Sequence, residues 1–177
     1  MNAPDAIWNR QAQGRAARLA RAASVLGTGL RGKQVETAQA VQLLSAVIES
    51  GDRVCLEGNN QKQADFLART LTQLDPQAVH DLHMVQSVLA LPEHLDVFDN
   101  GIASRLDFSF SGPQAGRLAK MVSAGQIQIG AIHTYLELFA RRPRAGWHVW
   151  GNEIASDVNL PGFPVPDAPA ATGVGGE

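Results

Sequence analysis

The hydrophobic period switches back and forth between residues 51 and 141, and that alternation limits the fold more than any other feature. Val54, Cys55 and Leu56 form a short apolar run of the kind a buried strand makes. Ala64, Leu67, Leu71 and Leu74 then recur at helical spacing, in a helix expected from about Gln61 to Leu74. Proline pushes the residue before it out of the helical region, so Asp75-Pro76 closes that helix. The cycle repeats with a strand at residues 82–85, then a short helix that admits Pro92 in its first turn and stops at Asn100-Gly101. Leu106, Phe108 and Phe110 alternate with Asp107 and Ser109, the period of a strand with two unlike faces. Ser111-Gly112-Pro113 turns into a helix with Ala115, Leu118, Ala119 and Val122 expected inward. Ile127, Ile129 and Ala131 alternate with Gln126 and Gln128, and Thr134 with Glu137 fits a capping box opening a last helix. Four strand–helix units in sequence imply an α/β fold, an open and mainly parallel sheet with flanking helices and right-handed crossovers.

The flanks differ from this middle. In residues 1–50, Ala16, Leu19, Ala23 and Leu26 form one helical stripe, with Arg15, Arg18 and Arg21 on another face. That arginine row is expected to be a solvated face, or else to meet an acidic partner. After Gly27 and Gly29, a second helix carries Val41, Leu44, Val47 and Ile48, with Gly51 as its stop. Residues 142–177 lack a clear period, and Pro161, Pro164, Pro166 and Pro169 crowd together. This composition implies a mostly irregular tail in which Trp147 and Trp150 dock locally. The organisation expected is therefore a helical segment (1–50), an α/β domain (51–141) and a Pro/Gly-rich tail (142–177).

With 177 residues and 45% hydrophobic content the chain suits a globular domain with a real core. A formal net charge of −2 gives no electrostatic basis for holding nucleic acid or an anionic membrane. One cysteine, Cys55, excludes an internal disulfide and fits a reducing compartment. The opening MNAPDAIWNR has no basic stretch followed by an apolar run, and no apolar stretch reaches the ~20 residues of a spanning helix. A cytoplasmic location follows as the expectation.

Open parallel sheets bind ligands at the carboxyl ends of their strands, which directs attention to the loop after Leu56. Gly58 permits a tight turn or close approach to a ligand, and the N–H groups of the helix start attract an anion. Asn59, Asn60, Gln61 and Lys62 add donors and one positive charge, and Glu57 borders the same mouth. The alternative is structural: Asn60 as a helix cap, Gly58 as a turn residue, Glu57 as a solvated acid. The loop carries neither a Rossmann fingerprint nor a P-loop. Ser111-Gly112 is a second strand end able to admit an extended ligand, or simply a serine cap followed by proline. His133 precedes a capped helix and is a further candidate, and a hydrogen-bonded structural histidine is equally consistent. His80 and His83 fall on opposite sides of an extended segment without a nearby acid or cysteine at ligand spacing, so no metal site is expected. Cys55 lies within an apolar strand and reads as an inert buried thiol.

Four blocks carry a family resemblance: GDRVCLEGNNQKQADFLA (residues 51–68), VHDLHMVQSVLALPEHLD (79–96), LDFSFSGPQ (106–114) and IGAIHTYLELFAR (129–141). Together, in this order, they resemble the alpha subunit of malonate decarboxylase, closely over residues 51–141 and more loosely before. The resemblance implies a coenzyme A transferase-like fold and an acetyl-[acyl-carrier-protein]:malonate acyl-carrier-protein transferase. Such an enzyme replaces acetate by malonate on a thioester. It implies no directly bound cofactor, because the thioester belongs to a phosphoribosyl-dephospho-coenzyme A group on the carrier subunit. The implied partners are that acyl carrier protein and the decarboxylase subunits, with malonate and acetate as small molecules. It further implies that Glu57 and Asn60 are catalytic, and that Gly58, Asn59, Gln61, Lys62, Ser111, Gly112 and His133 contact substrate. Family members are longer and hold a second domain of the same kind, so about half of a two-domain transferase is expected here, with an out-of-frame or divergent end. Two other functions fit the residues: a non-catalytic fragment that binds carrier protein or coenzyme A, and a transferase acting on free acyl-coenzyme A.

Overall fold

In the computed structural model, residues 4–31, 34–56, 64–132 and 148–150 are described. A long helix, α1 (Pro4–Leu26), leads through a 3₁₀ turn into a two-stranded antiparallel hairpin, β1 (Leu30–Arg31) with β2 (Gln34–Val35), which the sequence did not announce. Helix α2 (Ala40–Val47) follows, and then the repeating part. It comprises β3 (Arg53–Leu56), α3 (Asp65–Leu71), β4 (Leu82–Val88), α4 (Glu93–Asp99), β5 (Ala103–Phe110), α5 (Ala115–Ser123) and β6 (Gln128–Ile132). A last strand, β7 (His148–Trp150), lies in the segment expected to be irregular.

The five longer-range strands form one sheet in the order β6-β5-β4-β3-β7, and every pairing in it is parallel. From β3 to β6 each new strand is added on the same side of the previous one. Right-handed crossovers made in a single direction place every connecting helix on one face of the sheet. The core has that form. Val54 and Leu56, Leu82 and Met84, and Leu106 and Phe108 share one cluster with Leu44 of α2, Leu71 of α3, Leu95 and Phe98 of α4, and Leu118 and Met121 of α5. Cys55 and Val85 are buried as well but lie outside that cluster, on the opposite face. Strand β4 is buried along its whole length, as the centre of a parallel sheet should be.

Two helices turn a different face inward from the one their sequence suggested. In α1 the packed residues are Ala22 and Leu26, with the stem of Arg18 one turn earlier, while Leu19 is 66% exposed and Ala16 and Ala23 face outward. Arg18 fixes this rotation. Its guanidinium bonds Asp52, Glu49 Oε2 at 2.9 Å and the Val47 carbonyl at 2.8 Å, and Arg21 also pairs with Glu49. Two members of the arginine row, Arg18 and Arg21, thus bind the turn after α2, while Arg15 is exposed as a solvated face would have it. In α5 the inward pair is Leu118 and Met121, and Ala115, Ala119 and Val122 are exposed. Arg117 sets that angle by reaching Asp96, Asp99 and the Pro92 carbonyl on α4. Alanines weigh little in such a choice, because each buries little area.

Elsewhere the differences are at boundaries. Helix α3 packs Ala64, Leu71 and Leu74 as expected but ends at Leu71, with Thr72 as its cap. Strand β4 continues to Val88, and Pro92 caps α4 from just outside it. The alternation through Ile127 and Ile129 does not extend to Ala131. Leu106 pairs with Ile129 but Asp107 pairs with Ala131, so Gly130 is an extra residue that reverses the phase of β6. The capping box at Thr134 and Glu137 lies outside the described residues.

Candidate active site at the carboxyl edge of the sheet

Strand β3 is where the order of the sheet turns. On one side of it lie β4, β5 and β6 in chain order; on the other lies the last strand, with Leu56 paired to Trp150. Ligands of open α/β sheets bind outside the carboxyl ends of the strands at such a switch point. The chain leaves β3 at Leu56, and the next residue in the sequence is Glu57. Glu57, Gly58, Asn59, Asn60, Gln61 and Lys62 lie outside the described residues, as does His133, which follows the end of β6 at Ile132. What the structure fixes is the spacing of the strands that lead to them. Between β3 and β6 stand β4 and β5, so the two strand ends are about 14 Å apart at the usual interstrand distance.

Ser111 and Gly112 are described, and they sit at the same edge. Leu89 donates its N–H to the Phe110 carbonyl at 3.1 Å, which ties the exit of β4 to the exit of β5. Gly112 follows with φ +50, and a Cβ there would lie 3.3 Å from the Leu89 carbonyl oxygen and 3.4 Å from a Val88 methyl. Both the backbone conformation and the close approach call for glycine. Ser111 is half-buried, and its side chain makes no capping bond to the short helix it precedes, so the cap reading is not realised. Pro113 occupies the first turn. Phe110 (62% exposed) and Ile132 (68% exposed) stand beside this loop on the helix-bearing face, an apolar lip at the ends of β5 and β6.

The other face of the sheet holds a pair that sequence spacing did not reveal. His83 of β4 is 93% and Asp107 of β5 94% removed from solvent, with Nε2 and Oδ1 2.9 Å apart. The approach is close but does not have the geometry of a regular hydrogen bond. The register explains why the two meet. His83 lies opposite Arg105 and Val85 opposite Asp107, so the pair is a diagonal on one face. The separation of 24 positions hid it, though a lone aspartate between Leu106 and Phe108 was the available signal. His80, by contrast, points outward and meets Asp81 Oδ2 at 2.8 Å. His94 is buried in the first turn of α4. Burial pushes its pKa below the usual 6.5, against the opposing pull of Glu93, the Val88 carbonyl and Asp65. Cys55 is buried. Among the described residues no three His, Cys, Asp or Glu side chains gather as metal ligands, and no helix is long and apolar enough to cross a membrane.

Among the described residues, a parallel sheet with helices on one face and a switch point at β3 makes this an α/β domain, consistent with the coenzyme A transferase-like fold that the resemblance implied. The family model described as "Malonate decarboxylase, alpha subunit, transporter" matches residues 7–143, and the chain belongs to that family. It is 57% identical over 109 residues to an acetyl-S-ACP:malonate ACP transferase of Malonomonas rubra, a match covering 62% of this chain and 20% of that protein. It is similar to the crystal structure of a malonate decarboxylase alpha subunit from Acinetobacter baumannii, with TM-score 0.70 and 44% identity, over 76% of this chain and 24% of that one. It is also similar to a chain of a Pseudomonas malonate decarboxylase hetero-tetramer in complex with malonate, with TM-score 0.70 and 49% identity, over 78% and 24% respectively. The chain therefore spans about a fifth to a quarter of the length of these relatives, a smaller share than the half expected from the sequence.

Proposed function

We propose that this chain supplies part of the site at which malonate displaces acetate from an acyl-carrier-protein thioester. The observation that carries the proposal is the 57% identity over 109 residues to an acetyl-S-ACP:malonate ACP transferase. The exchange is balanced without a redox partner: acetyl thioester and malonate give malonyl thioester and acetate. It needs a site for a carboxylate, donors for the charge that develops on the thioester carbonyl oxygen, and a track for the arm bearing the thiol. The residues after β3 suit the first two needs. Asn60 supplies an amide donor and Glu57 a carboxylate as the catalytic pair, Gly58 and Asn59 leave room for the thioester, and Gln61 and Lys62 attract the malonate anion. Ser111 and Gly112 line the arm, and His133 borders it from the end of β6.

In this proposal the arm is the phosphoribosyl-dephospho-coenzyme A group of the carrier subunit, and the chain itself holds no cofactor. The working partners are the acyl carrier protein and the decarboxylase subunits, in a cytoplasmic complex. The test is to mix the chain with acetyl-carrier protein and labelled malonate and follow label into the protein-bound thioester. Label transfer that Asn60→Ala reduces at least tenfold, with the thermal midpoint held, supports the assignment; transfer indifferent to that change removes Asn60 from it. The short span relative to the relatives favours a second reading, a domain that binds carrier protein or coenzyme A without catalysis. Binding with no label transfer selects that reading. Equal rates with free acetyl-coenzyme A and with acetyl-carrier protein select a plain coenzyme A transferase.

A further inference from the structure

Strand β6 contains one residue too many for its partner. Leu106 faces Ile129 and Asp107 faces Ala131, which leaves Gly130 as a bulge. A bulge reverses the inward and outward phase of everything after it and commonly re-aims residues beside a functional site. Here the effect is visible. Ile129 and Ile132 share the helix-bearing face although three positions separate them, and Ala131 moves to the other face.

The buried His83–Asp107 pair sits on this bulge. A Cβ built on Gly130 would lie 2.1 Å from Asp107 Oδ1 and 3.3 Å from His83 Nε2. No other side chain fits there unless the carboxylate moves, and the same oxygen, Oδ1, is held at 2.9 Å by His83 Nε2. The φ of Gly130 is not in the left-handed region, so the glycine is needed for the close approach and not for its backbone freedom. On the strand before, β5 slips against β4 between Leu82 and His83 and adds Ser104. The pair thus lies between the two irregularities of the sheet, one on each side of β5.

We propose that Asp107 is a positioning residue: held by His83 and seated against the bare backbone of Gly130, it locks the bulge and so sets the direction in which the chain leaves β6 at the carboxyl edge. This rests on the proposed function in one respect, that the carboxyl edge is where substrate binds. Without the lock, β6 has a competing register in which Gly130 faces Asp107 and the strand end reverses its faces. A one-residue slip of that kind moves every later side chain to the opposite face.

The experiment is a double-substitution cycle on the full chain with its carrier protein, using Gly130→Ala, Asp107→Ala and both together. Two readouts are taken: amide hydrogen exchange resolved for residues 126–132 against residues 82–88, and the kcat and KM of acetate-for-malonate exchange. Gly130→Ala in the native background is expected to raise exchange at residues 126–132 at least tenfold while β4 changes less than twofold. Its kcat should fall at least tenfold, with KM for malonate within twofold. In the Asp107→Ala background, where the carboxylate is gone, the same glycine change should alter both readouts less than twofold. Equal effects of Gly130→Ala in the two backgrounds would overturn the lock, as would a rise spread evenly over β4 and β6. Asp107→Ser, which also withdraws the atom nearest Gly130, serves where Asp107→Ala fails to fold, with the same expectation of less than a twofold effect of Gly130→Ala in that background. A native chain without exchange activity counts against the proposed function alone, because hydrogen exchange still decides the lock.

Discussion

Single residues at the carboxyl edge and in α4 carry two consequences. Gly112 combines φ +50 with a close approach to the Leu89 carbonyl, and a left-handed backbone costs an ordinary residue about 1–2 kcal/mol before any steric cost. Gly112→Ala is therefore expected to lower unfolding stability by about 2 kcal/mol in denaturant titration, and an unchanged midpoint would show that the loop relaxes freely. His94 makes a prediction in pH. Burial holds its folded pKa below the unfolded 6.5, so between those two values the unfolded chain binds the extra proton. Stability from this group is full above about pH 6.5 and is lost as pH falls through the depressed folded value. His94→Gln should make the stability profile shallower across that window. A profile of the same steepness would place the acid sensitivity elsewhere. Neither residue's role was readable from the chain alone. Gly112 looked like a turn glycine, and His94 is buried where β4 meets α4, a junction at which the Gln86 side-chain amide donates to the His94 carbonyl at 3.1 Å.

At the level of elements, the helices are oriented by arginines as much as by apolar stripes. Arg18 is 16% exposed at its side chain and Asp52 14%, and the Asp52 hydrogen bond, helped by the charges of Asp52 and Glu49, raises the Arg18 pKa against the lowering effect of burial. For Arg117 burial opposes the charge, yet Asp96 and Asp99 outweigh it and the pKa is again raised. Charge-assisted bonds with this degree of shelter are worth about 1.5–3 kcal/mol, whereas an exposed ion pair is worth about 0–1 kcal/mol. Arg18→Met should thus reduce stability by about 2 kcal/mol and loosen α1 first, seen as early proteolysis before α2. Glu49→Gln, at 51% exposure, should cost less than about 1 kcal/mol. Equal losses from the two would contradict the ranking. This is also where sequence reading has its limit. Apolar periodicity located α1, α2, α3 and α5, and Pro92 with Asn100-Gly101 bounded α4, but in an alanine-rich helix several arcs are nearly equivalent. The choice among them is made by partners 18 to 34 positions away.

At the scale of the whole molecule, the strands and their parallel order were legible because each unit repeats a short apolar run, a turn and a helical stripe. The site was legible only as a strand end. What was not legible is the asymmetry of the two sheet faces. The helical core of the three described crossovers lies against one face, and the other carries His83, Asp107, Ser87 and Cys55 in burial without a helix among the described residues to account for it. The polar pair at its centre needed the register of three strands to be seen. Nor did composition announce β7, because three residues within a proline-rich segment leave no period to detect. The arrangement implies a gradient of rigidity. Strand β4 has partners on both sides and seven buried residues in succession, β5 has partners on both sides but is exposed at Ser104, Arg105 and Phe110, and β6 is an edge strand among the described residues that alternates between exposed and half-buried residues. Amides opening only with global unfolding should be those of β4, while β6 opens locally at lower free energy. Native-state hydrogen exchange is expected to rank β4 slowest, β5 intermediate and β6 fastest, with β4 amides at least tenfold slower than β6. Protection in β6 equal to that in β4 would mean that the edge is covered, and that the strand after the bulge is held by more than the contact of Asp107 with Gly130.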